Sequence, residues 1–201
     1  MGQSTNPKTV GLTGGIGVGK TYCAKLFKEL GIPIYSSDER AKALMVTDIK
    51  VISQIKAVFG DAAYHKDGAL NRKHIADKIF TDKGLRTAIN SIVHPAVRSD
   101  FLSWVRVHNT APYVMQESAL LFEIGLHKQF DAIVLVDAPL DVRISRVVTR
   151  DNTSVEAVQH RINSQMPSEE KRQLADYIID NDGQQGLVKQ VLEVYWKLIG
   201  Q

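Results

Sequence analysis

From Gly14 to Thr21 the chain reads Gly-Gly-Ile-Gly-Val-Gly-Lys-Thr, with Gly14, Gly19, Lys20 and Thr21 in the fixed places of a G-x-x-x-x-G-K-S/T pattern. Glycines let a backbone wrap closely around phosphate oxygens, because no Cβ blocks the approach and positive φ is cheap. The unpaired N–H groups of a helix start then point at the anion, and the helix dipole adds to the attraction. In that setting Lys20 reaches the outer phosphates and the Thr21 hydroxyl becomes a ligand for Mg²⁺. The chemistry is nucleotide phosphate binding, with Gly15, Gly17, Val18, Gly19, Lys20, Thr21 and Tyr22 as the contact residues.

Three carboxylates follow apolar runs that read as strands: Asp38, Glu117 and Asp137. Phosphoryl transfer to a hydroxyl needs one carboxylate to orient that hydroxyl and accept its proton, and another to hold Mg²⁺ or its waters. Asp38 is the candidate base, although Ser37 or Asp38 before a helix is equally a capping pattern. Glu117 and Asp137 both suit the metal, and spacing leaves the choice open; Glu117 is carried forward as the partner of Thr21. Arg143, Arg146 and Arg150 fall at i, i+3 and i+7 on one helical face. That face is either solvated or part of a lid that neutralises charge on the transferring phosphoryl group. The histidines show no metal-ligand spacing, and a single cysteine makes no zinc site.

These groups need a scaffold that collects strand ends. Thr9–Thr13 reads as a short buried strand, and Cys23, Leu26, Phe27 and Leu30 mark a helix that ends at Gly31. Ile32–Tyr35 is a second strand, abrupt or near an edge because of Pro33. Helices follow around Ala41–Met45 and over Ile49–Phe59. From about 61 to 110 no strand is expected. Ile75 and Ile79, then Leu85 to Ile92, then Val97 to Val105 mark helices in turn, with His94-Pro95 separating the last two. Tyr113–Met115 is a third strand, and Leu120–Glu123 opens a helix beyond it. Ala132–Asp137 is a continuous apolar run typical of a parallel strand buried on both faces. Val155, Val158 and Ile162 mark a short helix, Tyr177–Ile179 a last strand, and Val188–Ile199 a closing helix. Alternating strands and helices imply an α/β fold with a helix-covered parallel sheet, whose ligands sit at the carboxyl ends of the strands.

The 201 residues suffice for one full-sized α/β domain. A formal net charge of +3 suits polyanionic small molecules and falls short of a nucleic-acid footprint. Cys23, the single cysteine, lies on an apolar helix face and reads as a small core residue. Met1–Thr9 is polar and does not resemble a signal peptide, Asn6 spoils a myristoylation pattern, and no apolar run is long enough to span a bilayer. The expectation is a cytoplasmic protein without membrane or nucleic-acid partners.

Taken together the residues resemble the dephospho-CoA kinase family, from Thr9 to the final helix. The resemblance rests on Gly11–Gly17 with Gly19-Lys20-Thr21, on Asp38, on His94-Pro95-Ala96-Val97 and on Leu120-Leu121-Phe122-Glu123. Arg146, Arg150-Asp151, Arg161, Gln165, Ala175-Asp176 and Asn181-Asp182-Gly183 continue it. It implies a P-loop NTPase three-layer α/β/α fold with a five-stranded parallel sheet, a helical acceptor-binding insertion and a helical lid. One domain over 8–201 would divide into a core (8–60, 111–142, 175–201), an acceptor region near 61–110 and a lid near 143–174. The implied reaction moves the ATP γ-phosphate to the ribose 3′-hydroxyl of dephospho-CoA with Mg²⁺, in a monomer with no obligate protein partner. Asp38 would activate the hydroxyl, Lys20 and Arg150 would serve the phosphates, and Asn181 would lie near the adenine. His94, Leu120, Leu121, Phe122, Glu123 and Arg161 would serve the acceptor. Ser36 stands where the family often has an acid, and Glu117 and Ala119 where it often has Asp and Pro. Two other readings compete: a kinase for another hydroxylated small molecule, and a nucleotide-gated switch, against which stands the lack of an N-K-x-D segment.

Overall fold

The computed structural model of the chain describes residues 7–200. The reading of Met1–Thr9 as free of leader and acylation signals concerns Met1–Asn6, which lie outside the described residues, as does Gln201. The chain divides into two compact units, one formed by residues 1–36 and 108–201 and the other by Ser37–Val107.

The first unit is built on strands β1 (Lys8–Thr13), β2 (Ile34–Ser36), β3 (Tyr113–Glu117), β4 (Ala132–Asp137) and β5 (Tyr177–Asp180). They form one five-stranded sheet in the order β2-β3-β1-β4-β5, with every pairing parallel. Strand β4 shows why. Its Val134 and Val136 enter the core under helices α1 (Lys20–Glu29) and α9 (Leu187–Ile199), while Ile133 and Leu135 face Leu121 and Phe122 on the other side. A strand covered on both faces has no polar side to spare, so its sequence is continuously apolar. Pro33 precedes the edge strand and spends only its carbonyl, which accepts from the Met115 N–H at 3.0 Å. Cys23 is fully buried, as its periodicity predicts, and burial pushes its thiol up to about 12. Helices α6 (Leu140–Asp151), α7 (Val155–Asn163) and α8 (Ser168–Leu174) complete this unit.

The second unit holds α2 (Ser37–Thr47), α3 (Ile49–Phe59), α4 (Arg72–Thr81) and α5 (Lys83–Val107) around Val51, Ile55, Phe59, Ala63 and Ile75. Asp48 caps α3 by accepting from the N–H groups of Lys50 and Val51, and Asn71 caps α4 through His74 N–H. This compact helical unit spans Ser37–Val107, because α2 and α3 pack on α5.

Two expectations fail locally. His94-Pro95 does not break the chain: α5 runs through Pro95 as one 25-residue helix. An interior proline removes one backbone bond at a cost of about 3 kcal/mol. Both halves of α5 bury apolar side chains, among them Val93, Val97, Phe101 and Val105, and that packing offsets the loss. Leu120–Glu123 opens no helix either. It forms turns that end at Gly125, with φ of 69°, before a short 3-10 segment at Leu126–Gln129.

Candidate functional site: a phosphate loop held from outside

Strand β1 ends at Thr13 in the middle of the sheet, and the glycine loop joins it to α1. Its neighbours β3 and β4 carry the chain to opposite sides, so this is the point where strand order reverses and where parallel sheets bind ligands. Gly17 and Gly19 take φ of 82° and 88°, in the left-handed region, and Gly19 stands at the N-cap of α1. A Cβ on Gly19 would strike the Asn181 amide, so the position demands glycine on two counts. Val18 is buried in the core and fixes the loop from below, whereas Thr21 and Tyr22 are exposed on the first turn of α1.

Glu117 ends β3 level with Leu12 of β1. Its Oε1 accepts from Thr21 Oγ1 at 2.9 Å and lies 3.6 Å from Lys20 Nζ. Hydroxyl, carboxylate and ammonium therefore converge at the mouth of the loop. Asp137, the other acid left open by spacing, is spoken for. Its oxygens accept from Ser168 Oγ and from Arg172, each at 3.0 Å, and Arg172 also grips Asp180. Those two carboxylates hold the Arg172 pKa well above its ordinary value.

Among the described residues no three His, Cys, Asp or Glu side chains gather to hold a metal ion. What the loop offers is a pair of hard oxygens, Thr21 Oγ1 and Glu117 Oε1. That donor set fits Mg²⁺, which keeps several waters and takes its remaining ligands from substrate phosphates.

The arginines of α6 do not share one solvated face. Arg143 is buried; its Nε donates to Ile16 O at 3.0 Å and its Nη1 to Ser168 Oγ at 3.3 Å. Burial lowers its pKa, and the charge of Asp137 works against that shift. Arg146 donates to Val18 O at 3.4 Å and to both oxygens of Asn181 at 3.2 and 3.3 Å. Asn181 in turn donates through Nδ2 to Val18 O at 2.8 Å. Arg150 alone is exposed, on Asp151 at 2.7 Å; Arg161 shares that carboxylate at 3.0 Å. The paired charges raise the Arg150 pKa and lower that of Asp151.

The remaining candidates separate. Asp38 is exposed in the first turn of α2, inside the helix and not at a cap, where a negative charge meets the positive end of the dipole. His94 lies in α5, and burial holds its ring below the usual histidine value. Leu121 and Phe122 are buried with Ile133 and Leu135, and Leu120 of the run is exposed apolar surface. Glu123 faces Lys171, whose Nζ lies 2.8 Å from Glu123 Oε1 with only 2 % of its side chain accessible. Sequence places Arg143 only on the three-arginine face and says nothing of the burial of Arg143 or Lys171: their spacing is that of any amphipathic helix, and no local signal separates a buried cation from a surface one.

A phosphate loop on the central strand of an all-parallel five-stranded sheet, with hydroxyl, lysine and acid at its mouth, defines a P-loop kinase architecture. The chain belongs to the dephospho-CoA kinase family, whose family model matches residues 8–186. A dephospho-CoA kinase from Bacteroides fragilis is 37% identical over 185 residues, covering 92% of this chain and 90% of the relative. The crystal structure of TT1252 from Thermus thermophilus superposes with a TM-score of 0.85 at 32% identity, covering 96% of this chain and 98% of the other. A dephospho-CoA kinase from Campylobacter jejuni, 22% identical with a TM-score of 0.71 over 94% of this chain and 96% of its own, shares the fold. The protein is an ATP-dependent kinase of this family.

Proposed function

We propose that this chain transfers the γ-phosphate of ATP to the ribose 3′-hydroxyl of dephospho-CoA through Asp38, Lys20 and Arg150, the step that completes coenzyme A. The single observation that carries the reading of the phosphate and metal end of the site is the convergence of Thr21 and Lys20 on Glu117 at the mouth of the glycine loop. The loop N–H groups and Lys20 bind the ATP phosphates. Asp38 orients the acceptor hydroxyl and takes its proton as the O3′–P bond forms, while the bond to the bridging oxygen breaks and ADP leaves. Thr21 and Glu117 hold Mg²⁺. When bound, the metal neutralises charge on the outer phosphates. Arg150 trades Asp151 for the transferring phosphoryl group, where a planar guanidinium stabilises spreading charge.

Asn181 lies toward the adenine, braced by Arg146 against the loop it serves. The helical unit beginning at Asp38's own helix holds the acceptor, with His94 neutral at physiological pH as a hydrogen-bonding group. One chain supplies every residue of this reading, and the proposed form is a monomer. A cytoplasmic location belongs to the same reading. Among the described residues, no helix is long and apolar enough to cross a membrane.

The test is ATP turnover by the purified chain with Mg²⁺, with and without dephospho-CoA, and product identification by mass. Asp38→Asn should lower kcat by about 10²–10⁴-fold, the usual contribution of a positioned base, and leave ATP affinity within about twofold. A variant with near wild-type kcat would remove Asp38 from the mechanism.

A further inference from the structure

Ile16 sits in the glycine loop between Gly15 and Gly17, and both of its backbone polar groups are held by side chains from far along the chain. Its N–H donates to Gln165 Oε1 at 2.9 Å, and its carbonyl accepts from Arg143 Nε at 3.0 Å. The next two carbonyls are engaged as well. Gly17 O accepts from Arg146 at 3.5 Å, and Val18 O accepts from Asn181 at 2.8 Å. Three successive carbonyls of the loop are thus tied outward by donors that are not part of it.

This matters because the loop cannot set its own peptide orientation. A glycine-rich segment has many accessible conformations, and ordering it costs more backbone entropy than ordering any other sequence. A phosphate demands N–H groups toward it, and a carbonyl turned inward would bring its negative end to the anion. Hydrogen bonds from a charged guanidinium are about twice as strong as those from a neutral donor, and shielding from water preserves that strength. Arg143 is aimed for this task. It is 6% exposed, its second nitrogen is fixed by Ser168, and Ser168 is fixed by Asp137. A Cβ on Gly15 would run into its guanidinium, so loop and arginine are in direct contact.

We infer that Arg143 and Gln165 are positioning residues of the phosphate loop: they grip Ile16 from its two sides and hold the loop in the form that receives ATP. The inference rests on the reading of this loop as the ATP site, and it gives Asp137 work as well, as the anchor behind Ser168 and Arg143. Neither residue touches the reacting atoms.

The experiment compares wild type, Arg143→Met, Gln165→Met and the double variant by equilibrium ATP binding and by kinetics with each substrate varied. Gln165→Met keeps the length of the side chain and removes its polar group, and Arg143→Met keeps the apolar stem and removes the guanidinium. Each single change should weaken ATP binding and raise the ATP KM about tenfold, the equivalent of one lost hydrogen bond of this kind, while the dephospho-CoA KM stays within about twofold. Because both residues hold one loop position, the double variant should be worse than the worse single by no more than about twofold. Arg143→Lys, which can still donate to Ile16 O, should recover part of the loss. Wild-type ATP affinity in the single variants, or equal rises in both KM values, or fully additive losses would overturn the inference. Should Arg143→Met not fold, Gln165→Met, at a partly exposed side chain, decides the question alone. A wild-type chain that binds no ATP would instead overturn the reading of the loop itself. A chain that binds ATP without phosphorylating dephospho-CoA would overturn the acceptor assignment and leave the binding comparison standing as the test of the clamp.

Discussion

Carboxylates at strand ends look alike in a sequence, yet their surroundings give them different work. Glu117 receives the Thr21 hydroxyl and faces Lys20, whereas Asp137 is saturated by Ser168 and Arg172. The longer glutamate reaches across from β3 to the first turn of α1, so its extra methylene is accommodated by the loop it serves. Glu117→Gln keeps an acceptor for Thr21 and removes the charge proposed to bind the metal. It should raise the Mg²⁺ concentration for half-maximal activity by about tenfold, the worth of one charge-assisted contact. Metal titrations of the variant at fixed ATP would measure this. An unchanged Mg²⁺ requirement would move the metal role away from Glu117.

At the scale of elements, α8 is fastened by two adjacent cations in the middle of a short helix. Arg172 joins Asp137 and Asp180 at the ends of β4 and β5, and Lys171 meets Glu123 in the turn after β3. Just ahead of it, Met166 N–H donates to the same Glu123 carboxylate at 3.1 Å. The stretch expected to move as a lid is therefore tied down between Met166 and Arg172, and its cations Arg150 and Arg161, exposed on Asp151, come before that segment. Removing one member of a buried pair strands the other charge. Lys171→Met should lower unfolding stability by about 3–5 kcal/mol, and adding Glu123→Leu should restore much of it. Urea unfolding of the single and double variants reads both numbers. Equal stability of the two would show that the pair's charges do not interact. No pattern in 168–174 announces this helix in advance: seven residues hold too few apolar positions to display a period, and its key lysine points inward.

For the molecule as a whole, ligand binding and folding are coupled through the first unit. The loop, its brackets on α6 and Asn181, and the acid at the end of β3 all belong to residues 1–36 and 108–201. A ligand that binds only the folded loop stabilises by mass action. ATP at about 100 times its Kd should add about 2.7 kcal/mol to unfolding stability. In hydrogen exchange the added protection should appear in β1, α1 and α6, and an absence of added protection there would place the nucleotide elsewhere.

The sequence by itself determined the parallel sheet, the glycine loop and its junction with α1, and the order of the strands along the chain. These features are local: glycine spacing sets backbone freedom over a few residues, and apolar period sets which element forms. Strand β4 appears with the bounds its apolar run predicts, and α1 gives way to Gly31 as expected. Only the tertiary structure decided which acid faces Thr21 and Lys20, that Arg143 and Arg146 turn inward onto the loop, that Leu121 and Phe122 belong to the core, and that α5 continues through Pro95. Each of these is settled by a partner distant in sequence, as with Gln165 and Ile16, 149 residues apart. Side chains of one type at one spacing are equivalent until packing decides which are shielded from water, and shielding is what turns a surface charge into a brace.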